Sequence, residues 1–278
     1  MARMPTPSVP GFLYGTAWKE DRTAALVEVA LQMGFRGIDT ANQRRHYHEA
    51  GVGLGLAAAY RAGVVTREDL FLQTKFTYRG GQDHRLPYDP KADLPTQVAQ
   101  SMASSLEHLD TDRVDSYVLH GPASGYDWTD DDALVWSAMA RERDAGRTRL
   151  LGVSNVSLEH LHQLVASGAE TPAFVQNRCF ASAGWDRDVR AFCAERGVIY
   201  QGFSLLTANR PVLGHPLVVG LANRSRVTPA QVVFAFAHAV GMLPLTGTSS
   251  AEHMTQDLAS HALALSADEI RAIESIAG

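Results

Sequence analysis

Short apolar or β-branched runs alternate with longer amphipathic stretches along nearly the whole 278-residue chain, and this rhythm admits few architectures. Eight runs have strand character: 12–17 (FLYGTA), 37–41 (GIDTA), 70–76 (LFLQTKF), 114–120 (VDSYVLH), 150–155 (LLGVSN), 173–179 (AFVQNRC), 198–204 (VIYQGFS) and 242–247 (MLPLTG). A helical pattern follows each, for example Leu94 to Leu109 and Asp186 to Glu195, the latter stopped by Arg196-Gly197. Strand–helix alternation requires right-handed parallel crossovers. Eight such units without a break in composition predict an α/β fold closed as a (β/α)8, or TIM, barrel, in a single domain spanning 1–278. No GxGxxG follows the first strand, which disfavours an open sheet gripping a dinucleotide by a glycine turn. Ser266 to Ile276, opening SADE with a capping-box pattern, predicts one extra C-terminal helix beyond the eighth unit.

Composition narrows the partners. With 45% hydrophobic and 20% charged residues the chain can bury a large core, and a formal net charge of −5 leaves no basic stripe for nucleic acid. No apolar run reaches the roughly 18 residues of a membrane helix, and the opening MARMPTPSVP lacks the apolar stretch of a signal peptide. The expectation is a cytoplasmic protein acting on small molecules, with no nucleic-acid or membrane partner and an unassigned oligomeric state. Cys179 and Cys193 fit neither a disulfide framework nor a CxxC motif and read as small core residues.

Chemistry in such barrels sits at the C-terminal ends of the strands. There the second strand ends in Asp39, the apolar third contains Lys75, and the fourth ends in His120. Only three of the 25 basic residues are lysines, so a lysine within an apolar strand points to a need for a compact ammonium. Tyr47 lies in the loop after Asp39. A neighbouring ammonium is expected to lower its phenol toward the working pH, making it a proton donor, with Asp39 holding Lys75 by ion pairing and His120 orienting a substrate oxygen. This set suits carbonyl reduction and contains no reductant, so the hydride must come from a cofactor. A metal-dependent barrel hydrolase built on His46, His48, Lys75 and His120 is the rival enzyme class. Strands five to eight end without the further histidines it would need, and no metal site is expected.

Taken together, GTAW at 15–18, GIDTA with Asp39, TKF with Lys75, the strand ending at His120 and GVSN at 152–155 resemble the aldo-keto reductases. The likeness runs from residue 15 to the helix at 252–258. It implies a barrel, a nicotinamide cofactor and a catalytic tetrad of Asp39, Tyr47, Lys75 and His120. It further implies Ser154, Asn155 and Gln176 on the nicotinamide carboxamide, Phe203 stacked on the ring, and Ser204 and Leu206 facing the pyrophosphate. Two features depart from the family. Position 44, where the family commonly has its tyrosine, is arginine, and counting back from Glu49 and Gly53 leaves His46 as the rival proton donor. The segment PLTGTSSAEHM lacks the usual lysine and has His253 at the arginine position, leaving Thr248, Ser249 and Ser250 at a helix N-terminus to face the 2′-phosphate. NADPH is therefore expected, with NADH as the alternative and a weaker preference between them than usual. Gln256 and Asp257 stand at adenine-contact positions, and Trp18, Tyr126 and Trp128 are expected to line a wall for a small carbonyl substrate. The displaced tyrosine also leaves open a non-catalytic, nicotinamide-binding regulatory subunit.

Overall fold

Successive side chains on a strand point to opposite faces, and in this chain both faces are apolar, as in a parallel sheet covered on each side. The structure, a computed structural model, describes residues 8–276. Residues 1–7 and 277–278 of the expected 1–278 domain, including most of the MARMPTPSVP opening, lie outside the described residues. Eight parallel strands, β1 (Leu13–Gly15), β2 (Gly37–Asp39), β3 (Phe71–Phe76), β4 (Val114–Leu119), β5 (Thr148–Ser154), β6 (Phe174–Arg178), β7 (Ile199–Phe203) and β8 (Met242–Thr246), pair in sequence order. The sheet closes where Leu13 and Tyr14 of β1 pair with Leu245 and Thr246 of β8. This is the (β/α)8 barrel read from the sequence, with all eight strands where the apolar runs placed them.

The helices are α1 (Thr23–Met33), α2 (Glu49–Arg61), α3 (Leu94–Leu109), α4 (Asp130–Asp144), α5 (Leu158–Ala166), α6 (Arg187–Glu195), α7 (Arg210–Leu213), α8 (Pro216–Ser225), α9 (Pro229–Ala239), α10 (Ala251–Ala259) and α11 (Ala267–Glu274). The extra helix α11 forms as expected: Ser266 Oγ accepts from Glu269 N at 3.3 Å while Glu269 Oε2 accepts from Ser266 N at 2.8 Å. It is not the only addition, because the β7–β8 connection carries three helices where the sequence reading had one. Pro211, Pro216 and Pro229 stand at the first or second helical positions of α7, α8 and α9, where a missing N–H costs nothing, so the segment restarts three times.

The alternation produces two cores. Phe12, Tyr14, Leu72, Val175 and Met242 pack outward under the helices, whereas their neighbours Leu13, Phe71, Phe174 and Leu243 join Leu245 inside the barrel. Further along the same inward rows the residues become polar: Asp39 on β2, Gln73 and Lys75 on β3, Gln176 on β6 and Gln201 on β7. Cys179 and Cys193 are buried free thiols, pushed up to about 12 by burial, as their reading as core residues requires. Among the described residues no helix is long and apolar enough to cross a membrane.

Close packing of α2 against the end of α3 depends on Gly53, where a Cβ would overlap the His108 carbonyl oxygen and stand 3.0 Å from its carbon. Gly53→Ala is expected to lower stability by about 1–3 kcal/mol through overpacking. Gly220→Ala, in α8 with open space around it, should raise stability by about 0.4–1 kcal/mol. Urea unfolding midpoints check both, and an equal response at the two positions would contradict this packing.

Candidate active site

A lysine ammonium inside a barrel must find partners, since an unpaired buried charge is heavily penalised. Lys75 is fully buried, and its Nζ donates to Asp39 Oδ1 at 2.6 Å and to the Thr40 carbonyl at 2.8 Å. Burial pulls the Lys75 ammonium down from its usual value, and Asp39 is the main opposing influence. Asp39 Oδ1 also accepts from Gln73 Nε2 at 2.7 Å and Gln176 Nε2 at 3.0 Å.

Tyr47 is held above this pair by a turn. Its N–H donates to the Gln43 carbonyl at 3.0 Å, its carbonyl accepts from Arg44 Nη1 at 3.2 Å, and Asn42 and Gln43 anchor the loop to Ser101 and Gly81. The Lys75 ammonium lies 5.4 Å from the centre of the Tyr47 ring, and the His120 ring meets that ring edge-on at 5.8 Å. The four expected catalytic residues are therefore brought together. The expected direction of the phenol's shift is corrected: burial raises Tyr47 well above its usual value, and Asp39 raises it further. Asp39 sits beside Lys75 and offsets its field, so desolvation decides and the phenol remains protonated at neutral pH.

His120 follows β4, with its ring Nδ1 2.8 Å from the buried Thr77 hydroxyl oxygen. Burial, then Lys75 and His46, push its imidazole down to about 3, so it is neutral at pH 7. A hydroxyl that donates to Nδ1 leaves the ring hydrogen on Nε2. His46 also lines the cavity; its ring lies tilted against Trp18 at 4.2 Å between centres, and its carbonyl accepts the Trp18 N–H at 2.7 Å. His48 Nδ1 is 3.3 Å from the Glu20 carbonyl, so the histidines of the hydrolase alternative do not converge.

Asp39, Tyr47 and His120 open onto a cavity of about 770 Å³, within the usual range for small-molecule and cofactor sites. Ser154, Asn155, Gln176, Phe203, Ser204, Leu206, Thr248 and Trp18 also line it. Three of these, Trp18 (φ 62°), Asn155 (φ 55°) and Ser204 (φ 58°), hold left-handed backbone unusual for non-glycine residues, each in a segment leaving a strand. Asn155 Nδ2 donates to the His120 carbonyl at 2.7 Å, tying the ends of β4 and β5 together.

Other expected residues lie off the cavity wall. Trp128 packs edge-on against Trp136 at 6.4 Å in the outer core, and Tyr126 is 84% exposed beside it in sequence. Ser249 and His253 are exposed, Ser250 caps α10 by accepting from His253 N at 3.3 Å, and Gln256 pairs with Glu252. Asp257 is buried, accepts the Thr246 hydroxyl at 2.8 Å and is pushed up to about 6 by burial, which gives it a role inside the fold instead of at an adenine. Sequence reasoning missed two cations on the wall, Lys19 and Arg178. Lys19 Nζ donates to the carbonyl of Gly247, and a Cβ at that glycine would come 3.5 Å from the ammonium. The scarcity of lysine was the available signal.

The aldo/keto reductase family model matches residues 12–209. An aldo-keto reductase of Mycolicibacterium vanbaalenii is 31% identical over 251 residues, covering 90% of this chain and 81% of the relative. The methylglyoxal reductase DkgB of Escherichia coli O157:H7 is 27% identical over 97% of this chain and 93% of its own. Among solved structures, a Bombyx mori aldo-keto reductase in complex with NADP superposes with a TM-score of 0.81 at 24% identity, covering 96% of this chain and 88% of that one. A family match over most of the chain, together with a closed barrel that brings an aspartate, a tyrosine, a lysine and a histidine to one cavity, places this protein in the aldo/keto reductase family.

Proposed function

We propose that this protein reduces aldehydes or ketones to alcohols, with NADPH as the preferred hydride source and Tyr47 as the proton donor. Aldo/keto reductases are oxidoreductases that use a nicotinamide cofactor on small carbonyl compounds, and the names of the methylglyoxal reductase relative and the NADP complex agree with this. The observation that carries the reading is the packing of Tyr47 against both Lys75 and His120 on the wall of the cavity.

The residues present fit a nicotinamide dinucleotide. Ser154, Asn155 and Gln176 supply amide and hydroxyl groups for a carboxamide, Phe203 offers an aromatic face, and Lys19 and Thr248 supply a cation and a hydroxyl for phosphates. Ser249, Ser250 and His253 at the start of α10 are the remaining groups for a 2′-phosphate, with no arginine among them. A reduced nicotinamide held there would be the hydride source for a carbonyl carbon. His120, neutral and on the cavity wall, would hydrogen-bond the carbonyl oxygen and orient it. The Tyr47 O–H would donate the proton to that oxygen, with the Lys75–Asp39 pair fixed beside the phenol and solvent restoring the proton afterwards. Trp18, stacked on His46, narrows the mouth on that side.

Tyr47→Phe is expected to lower kcat/KM for aldehyde reduction by at least about 100-fold, the usual scale of a lost general acid, with little change in NADPH affinity. Retained reduction in that variant would transfer the role to His46, and a wild type that binds NADPH but turns over no carbonyl would favour the regulatory subunit. The pH profile is a separate check. His120 gains its proton only near pH 3 and Tyr47 loses its own only above the usual phenol range, so kcat/KM for reduction should be level between about pH 5 and 9. An acid limb centred near 6.5 would contradict a neutral imidazole at His120. Lys19→Met should weaken NADPH and NADH binding alike, by about tenfold or more, the scale of a lost charged hydrogen bond. Wild-type kcat/KM should favour NADPH over NADH by less than about a thousandfold, and a larger ratio would show an undetected phosphate clamp.

A further inference from the structure

Beside the proton-transfer residues the barrel interior holds a closed group of amides: Gln73 on β3, Gln176 on β6 and Gln201 on β7, none more than 3% exposed. Gln73 and Gln201 pair reciprocally, Gln73 Nε2 donating to Gln201 Oε1 at 2.8 Å and Gln201 Nε2 donating back to Gln73 Oε1 at 3.0 Å. Gln73 Nε2 also donates to Asp39 Oδ1 at 2.7 Å. Gln176 Nε2 donates to the same two acceptors, Asp39 Oδ1 at 3.0 Å and Gln201 Oε1 at 2.8 Å.

An ionised carboxylate only accepts hydrogen bonds, so Asp39 fixes the amides of Gln73 and Gln176 with their nitrogens toward it. The reciprocal pair then fixes Gln201 with its carbonyl toward Gln176. Both N–H groups of Gln176 are thereby engaged inside the barrel. Its Oε1, which takes no hydrogen bond among the described residues and is not sealed in the interior, is the atom left for the cavity that Gln176 lines. Turning the amide over would set this oxygen against the Asp39 carboxylate and the Gln201 carbonyl in a low-dielectric interior, losing two hydrogen bonds for two repulsions.

We propose that Gln73 and Gln201 are positioning residues that lock Gln176 as a pure acceptor toward the cavity, so that the site selects a pyridine ring bearing an N–H donor over one without it. The inference rests on the cavity being the nicotinamide site. The primary carboxamide of NADP⁺ supplies that donor, and the methyl ketone of the 3-acetylpyridine analogue of NADP⁺ does not.

The test is the ratio of dissociation constants for these two dinucleotides, measured by quenching of tryptophan fluorescence without turnover. Wild type is expected to prefer NADP⁺ by about tenfold or more, as a buried acceptor left unpaired would require. Gln176→Leu should lower the ratio most, leaving only what Ser154 and Asn155 contribute. Gln201→Met, of similar volume, should reduce the wild-type ratio at least about threefold by removing one of the two acceptors that hold Gln176. Gln73→Met should act in the same direction and serves if Gln201→Met does not fold. Adding Gln201→Met to Gln176→Leu should change the ratio no further. A wild-type ratio near one, or folded Gln201→Met or Gln73→Met protein keeping the full wild-type ratio, would overturn the lock while leaving the cofactor reading intact. Wild type that binds neither dinucleotide would overturn both.

Discussion

The ion pair between Lys75 and Asp39 organises the centre of this barrel. Taking either charge out of water is expensive, and removing one partner of such a pair costs about 3–5 kcal/mol because the other is left uncompensated. Inward-facing side chains gather around it accordingly. The Thr40 carbonyl takes a second hydrogen bond from the ammonium, and two glutamines spend N–H groups on the carboxylate. A barrel whose inner rows begin with Leu13, Phe71 and Phe174 thus becomes polar where β2, β3, β6 and β7 approach their C-terminal ends. Stability and chemistry share those atoms, since the same pair sets the electrostatic surroundings of the Tyr47 phenol.

How far the sequence could be read followed the range of each interaction. Strand positions depend on local alternation and helix α11 on a four-residue capping pattern, so both were visible in short windows. Asp39, Lys75 and His120 were legible because three consecutive strands each carry a reactive group near the same end. Tyr47's shift was not, because pairwise reasoning from Lys75 omits the Asp39 charge beside it and the burial of the ring. Trp128 and Asp257 stand at sequence positions compatible with a pocket, but whether a side chain turns to the cavity or to the outer core is decided by contacts distant in sequence. Gln73 and Gln201 are 128 residues apart, and a single glutamine in an apolar strand carries no local mark of a partner across the barrel.

The rim shows a different economy from the interior. Trp18, Asn155 and Ser204 hold left-handed backbone, and Lys19 bridges from the segment after β1 to the carbonyl of Gly247 after β8, the seam where the barrel closes. That ammonium stands beside a segment after β8 that has no lysine of its own. Cationic character at the cavity thus comes from the segment after β1 and from β6 instead of from β8, through Lys19 and Arg178.

The central claim is that Lys75 and Asp39 act as one unit on the Tyr47 phenol. A double-mutant cycle of Asp39→Asn and Lys75→Met, read as kcat/KM for carbonyl reduction, addresses it most directly. Each single substitution should cost nearly as much as the two together, because either one dissolves the pair. Losses that simply add, with both single variants folded, would show that the two side chains act independently and would contradict the account.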